Sequence, residues 1–469
     1  MSEYLENAVR LLREAPSGIL RKGLGRNSAL SFAQGAVGTI CYFLVYRLLI
    51  AEAGTEVLGL WSLTVGIVAF GRLADVSGGA GLSRMVAIAD HDSESAAVYI
   101  DTVTIATAIL YTAIILATLI PFSRMVVASI EDRFHEIGQW LVVATSMSLF
   151  LNVMVSSQLS ALDGLHRSDI RSIIQICGFL IFILLSYALI PHIGVKGMAL
   201  SQVAQFVLVL VLARAVLVAK ISGLGFVPMQ FSRKAFLETM SYGIKLQVTS
   251  LAGLVFDPLS RIMINHFGGL SVLGIYDLAY KITAYTRMLI VSASMPLIPE
   301  FSRRYIHDRA AGKNLVNTVF PKFAALTALA FGMTCLCAPL VSYFVLSQIS
   351  SIFIINVAVL SIGWYISTLG NVIQLYAQGA GMLRWNIAGQ WAIAAGSVIF
   401  GYIAGEAGYG AYVAVGVAAA VAFGSLVGIV GNLRLYGLNV NLVPLTRSSL
   451  LSLAVFIGSL GFLCVVAWR

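Results

Sequence analysis

Six ionisable residues interrupt two adjoining apolar stretches: Lys245, Asp257 and Arg261 in the run from 240 to 265, then Asp277, Lys281 and Arg287 in the run from 272 to 296. Charges in such runs are costly to bury, so each is a functional candidate. Lysine and arginine suit phosphate oxygens, to which they donate charge-assisted hydrogen bonds. Lys281 lies about ten residues into its run, roughly 15 Å deep at the helical rise per residue, and cannot easily reach an interface. With Arg287 on one side of it, Arg261 and Arg47 on the other, and Lys245 extending the set, the cations outline a basic path for an anionic group. The same spacings fit a structural arrangement. Asp257 and Arg261, like Asp277 and Lys281, stand at i and i+4, where carboxylate and cation neutralise each other on one helix face. Arg47 and Arg261, at the ends of their runs, have stems long enough to snorkel to an interface. The two aspartates are candidates for charge pairing or for coupling to an ion.

The elements that position these residues are membrane spans. The chain has 469 residues, 59% hydrophobic and 11% charged, with a mean hydropathy of +0.91, where a soluble domain carries about a quarter charged residues. A bilayer core of about 30 Å requires roughly 20 apolar residues per helix. Such runs recur from 27–50 to 448–468, about thirteen in all, within a range of twelve to fourteen. The first is long enough to be a retained helix rather than a cleaved signal. Ahead of it, Leu5, Val9 and Leu12 have the spacing of a short amphipathic surface helix, and a plain solvated tail fits equally. All five cysteines fall within apolar runs, so no disulfide framework is expected.

Placing the N-terminus in the cytoplasm puts nearly all flanking Lys and Arg there, from Arg10 and Arg13 through Arg167, Lys220, Arg303 and Arg304 to Arg447. Only Arg124, Arg133, Lys196 and Arg469 fall outside, as the positive-inside rule requires. The net charge of +9 is then a topology signal rather than a sign of nucleic-acid binding. The stretch YRLLIAEAGTEVLGLW from Tyr46 returns as SRIMINHFGGLSVLGIY from Ser260, with Arg47 closing the first span and Arg261 the seventh. LDGLHRSDIRS from Leu162 and AQGAGMLRWNI from Ala377 form a second pair. Six spans separate the copies, an even number, so both halves run the same way through the membrane and are related by an axis along its normal. The expected fold is an all-α integral membrane protein of two pseudo-symmetric parallel six-helix bundles with an extra C-terminal helix. Its parts are a cytoplasmic segment 1–26, an N-terminal lobe 27–219, a linker 220–239, a C-terminal lobe 240–435 and a last helix within 436–469.

RLLIAEAGTEVLGLWSLTVGIVAFGRLADVSGGAGLSRMVAIAD, from Arg47, and VLGIYDLAYKITAYTRMLIVSASMPLIPEFSR, from Val272, resemble corresponding stretches of polysaccharide transporters in the multidrug/oligosaccharidyl-lipid/polysaccharide exporter superfamily. The resemblance implies a flippase of the cell membrane. Its cargo would be a polyprenyl-pyrophosphate-linked oligosaccharide, moved from the cytoplasmic to the outer leaflet by alternating access between two lobes. A monomer without cofactor is expected, working beside polysaccharide polymerase and chain-length machinery, with Lys281, Arg287, Arg261, Arg47 and Lys245 as the cations that would receive the pyrophosphate. A multidrug or cation exporter of the same superfamily is the alternative; it would be expected to carry acidic residues in a lobe cavity, and the first span has none between Asn27 and Tyr46.

Other chemistry finds little support. No GxxxxGK[ST] loop occurs, which removes P-loop nucleotide binding. The six histidines lie in loops or at span edges, so a buried histidine relay is not expected. Asp90-His91-Asp92 has the DxD pattern of metal-dependent glycosyltransferases, but no loop is large enough for a nucleotide-sugar domain, and it reads as solvated; no metal and no enzyme activity are expected. Pro258 marks a kink or hinge in the seventh span. Gly401 with Gly405, and Gly424 with Gly428, have the spacing of close helix packing.

Overall fold

A backbone crossing hydrocarbon finds no water, so its N–H and C=O groups must be satisfied within the segment, which selects the α-helix. The computed structural model contains no strand among its described residues, which are 17–468 apart from 75–78, 90–92, 295, 296, 298–300, 302, 306, 307, 408–412 and 439–446. Leu5, Val9, Leu12, Asp90-His91-Asp92, Pro296 and Pro299 lie outside the described residues, as do the side chains of 17–29 and 241–250. Two helices are interrupted: Ser17–Ala69 at Gly54, giving arms α1 (17–53) and α2 (55–69), and Arg233–Ser294 at Gly269, giving α8 (233–268) and α9 (270–294). The first half continues with α3 (Gly79–Ile88), α4 (Ser93–Val127), α5 (His135–Gly164), α6 (Ser168–Ile193) and α7 (Val195–Lys220). The second continues with α10 (Arg309–Leu346), α11 (Ser351–Leu369), α12 (Asn371–Gly379), α13 (Arg384–Glu406) and α14 (Val413–Tyr436). A last helix, α15 (Arg447–Trp468), packs on α10 and α11.

Eleven helices among the described residues are long and apolar enough to cross a membrane. Two of these are the interrupted ones, which double back, and this separates eleven from the thirteen spans expected. Arg261 and Asp277 flank Gly269 evenly, and on an unbroken helix their sixteen-residue separation would span about 24 Å. They form an ion pair at 2.9 Å. Gly54 (φ 84°) and Gly269 (φ 75°) occupy the left-handed region that a side chain would strain. Pro258 keeps helical backbone angles, so the break in this segment is at Gly269.

Gly269 follows Gly54 by the same 215 residues as Gly381 (φ 75°) follows His166 (φ 56°), the left-handed residues of the second repeated pair. That offset lays α1, α2, α4, α6 and α7 onto α8, α9, α10, α13 and α14, and α5 onto α11 and α12 together. It also corrects the match of Arg47 with Arg261, because the second stretch carries one extra residue and the counterpart of Arg261 is Tyr46. One residue turns a helix by about 100°. Accordingly Tyr46 and Arg261 are buried while Arg47 is exposed.

The two bundles meet where α2 and α9 leave their turns. A Cβ on Gly59 would collide with the Leu270 carbonyl oxygen, and one on Gly274 with that of Thr55, so the backbones touch reciprocally across the pseudo-twofold. Thr55 Oγ1 and Ser271 Oγ share a hydrogen bond of 2.9 Å beside them. Asn265 Nδ2 donates to the Ser129 carbonyl at 2.6 Å at the same end. Elsewhere Gly424 and Gly428 pack α14 against Gly389 of α13, and Gly401 and Gly405 face Met263 and Phe267 of α8, which is the expected packing role. Hydroxyls within spans return to the carbonyl four residues back, as at Thr64 and Thr145. Leu116 and Leu340 are each 71% exposed, a surface suited to lipid.

Candidate functional site

Charge at the bundle interface converges on Asp277. Its Oδ1 accepts from Arg261 Nη2 at 2.9 Å and Nε at 3.3 Å, and its Oδ2 lies 3.6 Å from Lys281 Nζ. Arg261 reaches Asp257 Oδ2 at 2.6 Å through Nη1 and donates Nε to Ser62 Oγ at 3.0 Å. Lys281 donates to the Tyr46 hydroxyl, which in turn donates to Asp277 Oδ2 at 3.4 Å. The Lys281 ammonium also lies over the rings of Tyr42 (5.1 Å) and Tyr46 (4.4 Å). Both i, i+4 pairs are therefore formed, and a third pair closes the α8–α9 hairpin. Tyr46, Ser62, Arg261 and Asp277 are two residue pairs related by the 215-residue offset, so the site sits on the pseudo-symmetry axis.

Arg287, a turn and a half further along α9, is different. Its guanidinium lies 4.9 Å from the Trp364 ring, its Nε is buried with no hydrogen-bond partner, and no carboxylate among the described residues pairs with it. Trp364 packs on Tyr280, whose ring faces Arg261 at 5.7 Å. Aromatic rings thus connect Arg287 to the Asp277 cluster. Among the described residues three cations, Arg261, Lys281 and Arg287, face two carboxylates, Asp257 and Asp277, leaving one positive charge without a counterion. Arg47 does not join them; it is exposed, with its guanidinium over Phe344 at 4.2 Å. Lys245 lies on α8, but its side chain is outside the described residues.

Sequence reasoning passed over three features. Tyr46 and Ser62 are ordinary residues for a span, and only the fold brings them to charged partners. Asp101 of α4 and Arg214 of α7, both buried, pair at 2.6 Å within the first half. Arg214 also donates to the carbonyls of Gly225 and Phe226, and Asp101 Oδ2 accepts from the backbone N–H of Met229 and Gln230. This buried pair straps the segment between α7 and α8 to the first half. Its members sit near span ends, where charge is common.

No group of three or more His, Cys, Asp or Glu is placed to hold a metal among the described residues. All five cysteines are free.

Among solved structures, the chain resembles an inward-facing multidrug resistance transporter of the MATE family, in the MOP superfamily, at 17% identity and a TM-score of 0.74, covering 85% of this chain and 94% of that one. It resembles the lipid II flippase MurJ in an inward closed conformation at 13% identity and a TM-score of 0.70, covering 94% and 91%. An outward-facing MATE transporter of the same superfamily gives 18% identity and a TM-score of 0.61, covering 89% and 96%. At these identities the likeness is one of fold. No curated protein is significantly similar in sequence. Residues 24–304, more than half of the chain, match the family model of polysaccharide biosynthesis proteins, and the chain belongs to that family.

Proposed function

We propose that the protein is a flippase that carries a polyprenyl-pyrophosphate-linked oligosaccharide from the cytoplasmic to the outer leaflet by alternating access. The observation that carries this reading is Arg287, a partly buried cation with no carboxylate partner among the described residues, joined through Trp364 and Tyr280 to the Asp277 cluster. A buried charge needs a counterion. A pyrophosphate supplies one, with oxygens suited to a guanidinium. Lys281, 23% exposed at its side chain, is the next cation the cargo meets; Arg261 is held by two aspartates and positions the cluster.

The moving bodies are the N-terminal lobe 27–219 and the C-terminal lobe 240–435, joined by the linker 220–239, with the last helix in 436–469. We read the state as inward-facing: the reciprocal backbone contact through Gly59 and Gly274 lies at the end that the basic residues assign to the outer face, while at the opposite end the first half meets the start of α8, where Tyr99 donates to Glu238. The greater likeness to an inward-facing than to an outward-facing transporter supports this state. The protein resides in the cell membrane with its N-terminus inside, acts as a monomer, and hands cargo to a polysaccharide polymerase and its chain-length machinery without catalysing a reaction.

A small-molecule exporter of the same fold has one observation in its favour, the partly exposed Asp257 carboxylate. Its pairing with Arg261 at 2.6 Å weighs against it as a free proton acceptor. Mass spectrometry of polyprenyl-linked glycans from depleted cells, with an impermeant sugar-modifying reagent probing sidedness, separates the two readings. A defined oligosaccharide held on the cytoplasmic leaflet is expected, whereas an unchanged glycan-lipid pool with intact surface polysaccharide would favour the exporter.

A further inference from the structure

Two adjoining cavities of about 150 Å³ each open within the first half, sharing Asn152 and Phe206 in their walls. By the space one water needs, each has room for about ten. Their lining contrasts with the cationic cluster. Their walls are largely apolar, and into them are set amides and hydroxyls, Ser148, Asn152 and Gln202 in one and Gln175 and Gln205 in the other, with the ring of Phe206 common to both and those of Tyr42 and Phe179 in the second. Charge enters only at the rim, as Arg72, which donates to Asn152 Oδ1 at 2.9 Å, and Asp257.

Two wall groups carry unused hydrogen-bonding capacity. Ser148 and Gln205 are 5% and 4% exposed, and Ser148 Oγ and Gln205 Oε1 have no partner. Buried polar atoms without partners are rare and costly. Neutral donors and acceptors set among apolar and aromatic faces match a ligand with hydroxyls and apolar C–H faces, whereas an anion would find only Arg72 and a wholly apolar molecule would leave Ser148 and Gln205 unpaired. Both cavities adjoin the cationic cluster, one through Asp257, which holds Arg261, and the other through Tyr42, whose ring lies 5.1 Å from Lys281 Nζ.

We infer that these cavities seat the sugar units of the cargo, as a neutral glycan subsite separate from the cationic cluster that holds its pyrophosphate. The inference rests on the flippase reading. Gln205 and Asn152 hydrogen-bond sugar hydroxyls, Ser148 adds a third contact, and Phe179 and Phe206 cover the C–H faces of the rings. The linkage between sugar and pyrophosphate passes between Tyr42 and Asp257.

The test measures binding to the purified full-length protein in lipid nanodiscs with two probes: bare undecaprenyl pyrophosphate, and the glycan-lipid that accumulates in cells depleted of this protein. Gln205→Leu and Asn152→Leu should each weaken glycan-lipid binding about tenfold, the worth of one hydrogen bond, and leave the bare lipid unaffected. Ser148→Ala, which removes one unpartnered hydroxyl, serves if Asn152→Leu fails to fold without the hydrogen bond from Arg72. Arg287→Ala should weaken both probes alike. Unchanged glycan-lipid binding in the cavity variants, or equal loss for both probes, would overturn the subsite while leaving the flippase reading standing. Failure of any glycan-lipid to accumulate would remove that reading and the subsite with it.

Discussion

Asp277 is the residue on which the interface depends, because it neutralises two cations at once. Asp277→Asn leaves Arg261 and Lys281 facing each other with one fewer counterion. Breaking a buried pair this way typically costs about 3–5 kcal/mol. The variant should show a clearly lowered Tm by fluorescence in detergent, and the double variant Asp277→Asn/Lys281→Met should recover part of the loss, as a double-mutant cycle between contacting residues would report. Equal Tm values for all three proteins would mean that the cluster does not stabilise the fold. Lys281→Ala is the complementary change. Arg261 still pairs with Asp277 in its absence, so protein level should hold while transport is lost. Normal transport in that variant would remove Lys281 from the mechanism. The charged residues of α8 and α9 were legible in the sequence because ionisable groups are scarce in apolar runs. Tyr46 and Ser62 were not, since a hydroxyl in a span usually bonds its own helix and nothing local marks those that bond across bundles.

At the scale of elements, the hairpins α1–α2 and α8–α9 form the contact that must separate if the lobes rock. Thr55 Oγ1 and Ser271 Oγ stand 2.9 Å apart across it, close enough for a disulfide between cysteines at those positions. In a background lacking the five free cysteines, Thr55→Cys/Ser271→Cys should cross-link on oxidation and stop transport, and reduction should restore it. Transport that continues in the cross-linked protein would show that this contact need not open. Gly274→Val acts in the opposite sense. Its side chain meets the Thr55 carbonyl, and overpacking of this kind costs roughly 1–3 kcal/mol. The lobes should splay at this end, and spin-label distances across it should lengthen; unaltered distances would mean that the contact relaxes locally. The repeat was readable from sequence, and Leu162 against Ala377 already carried its 215-residue register; only the arginine match was one residue out. Matching Arg47 with Arg261 departs from that register by one residue, and the positive-φ glycines and the buried Tyr46 show Tyr46 to be the counterpart of Arg261.

Over the whole molecule, hydropathy and the distribution of basic residues made the helical bundles legible, since a bilayer allows few alternatives for a chain this apolar. The strap of Asp101 and Arg214 across the linker and the cavities of the first half were not legible, because each depends on side chains brought together from distant helices. Arg287, which no carboxylate pairs with among the described residues, the reciprocal glycine contact and the cavities beside the cluster together describe a site with a charged part and a polar uncharged part, between two repeated halves. The most direct measurement of the central claim is flipping in proteoliposomes that contain only this protein and the glycan-lipid from depleted cells, followed with an impermeant sugar-modifying reagent. Wild-type protein should expose the internal half of that lipid to the reagent with time, and Arg287→Ala and Lys281→Ala should leave it protected. Protection that persists with wild-type protein, or exposure that proceeds equally in both variants, would contradict the account.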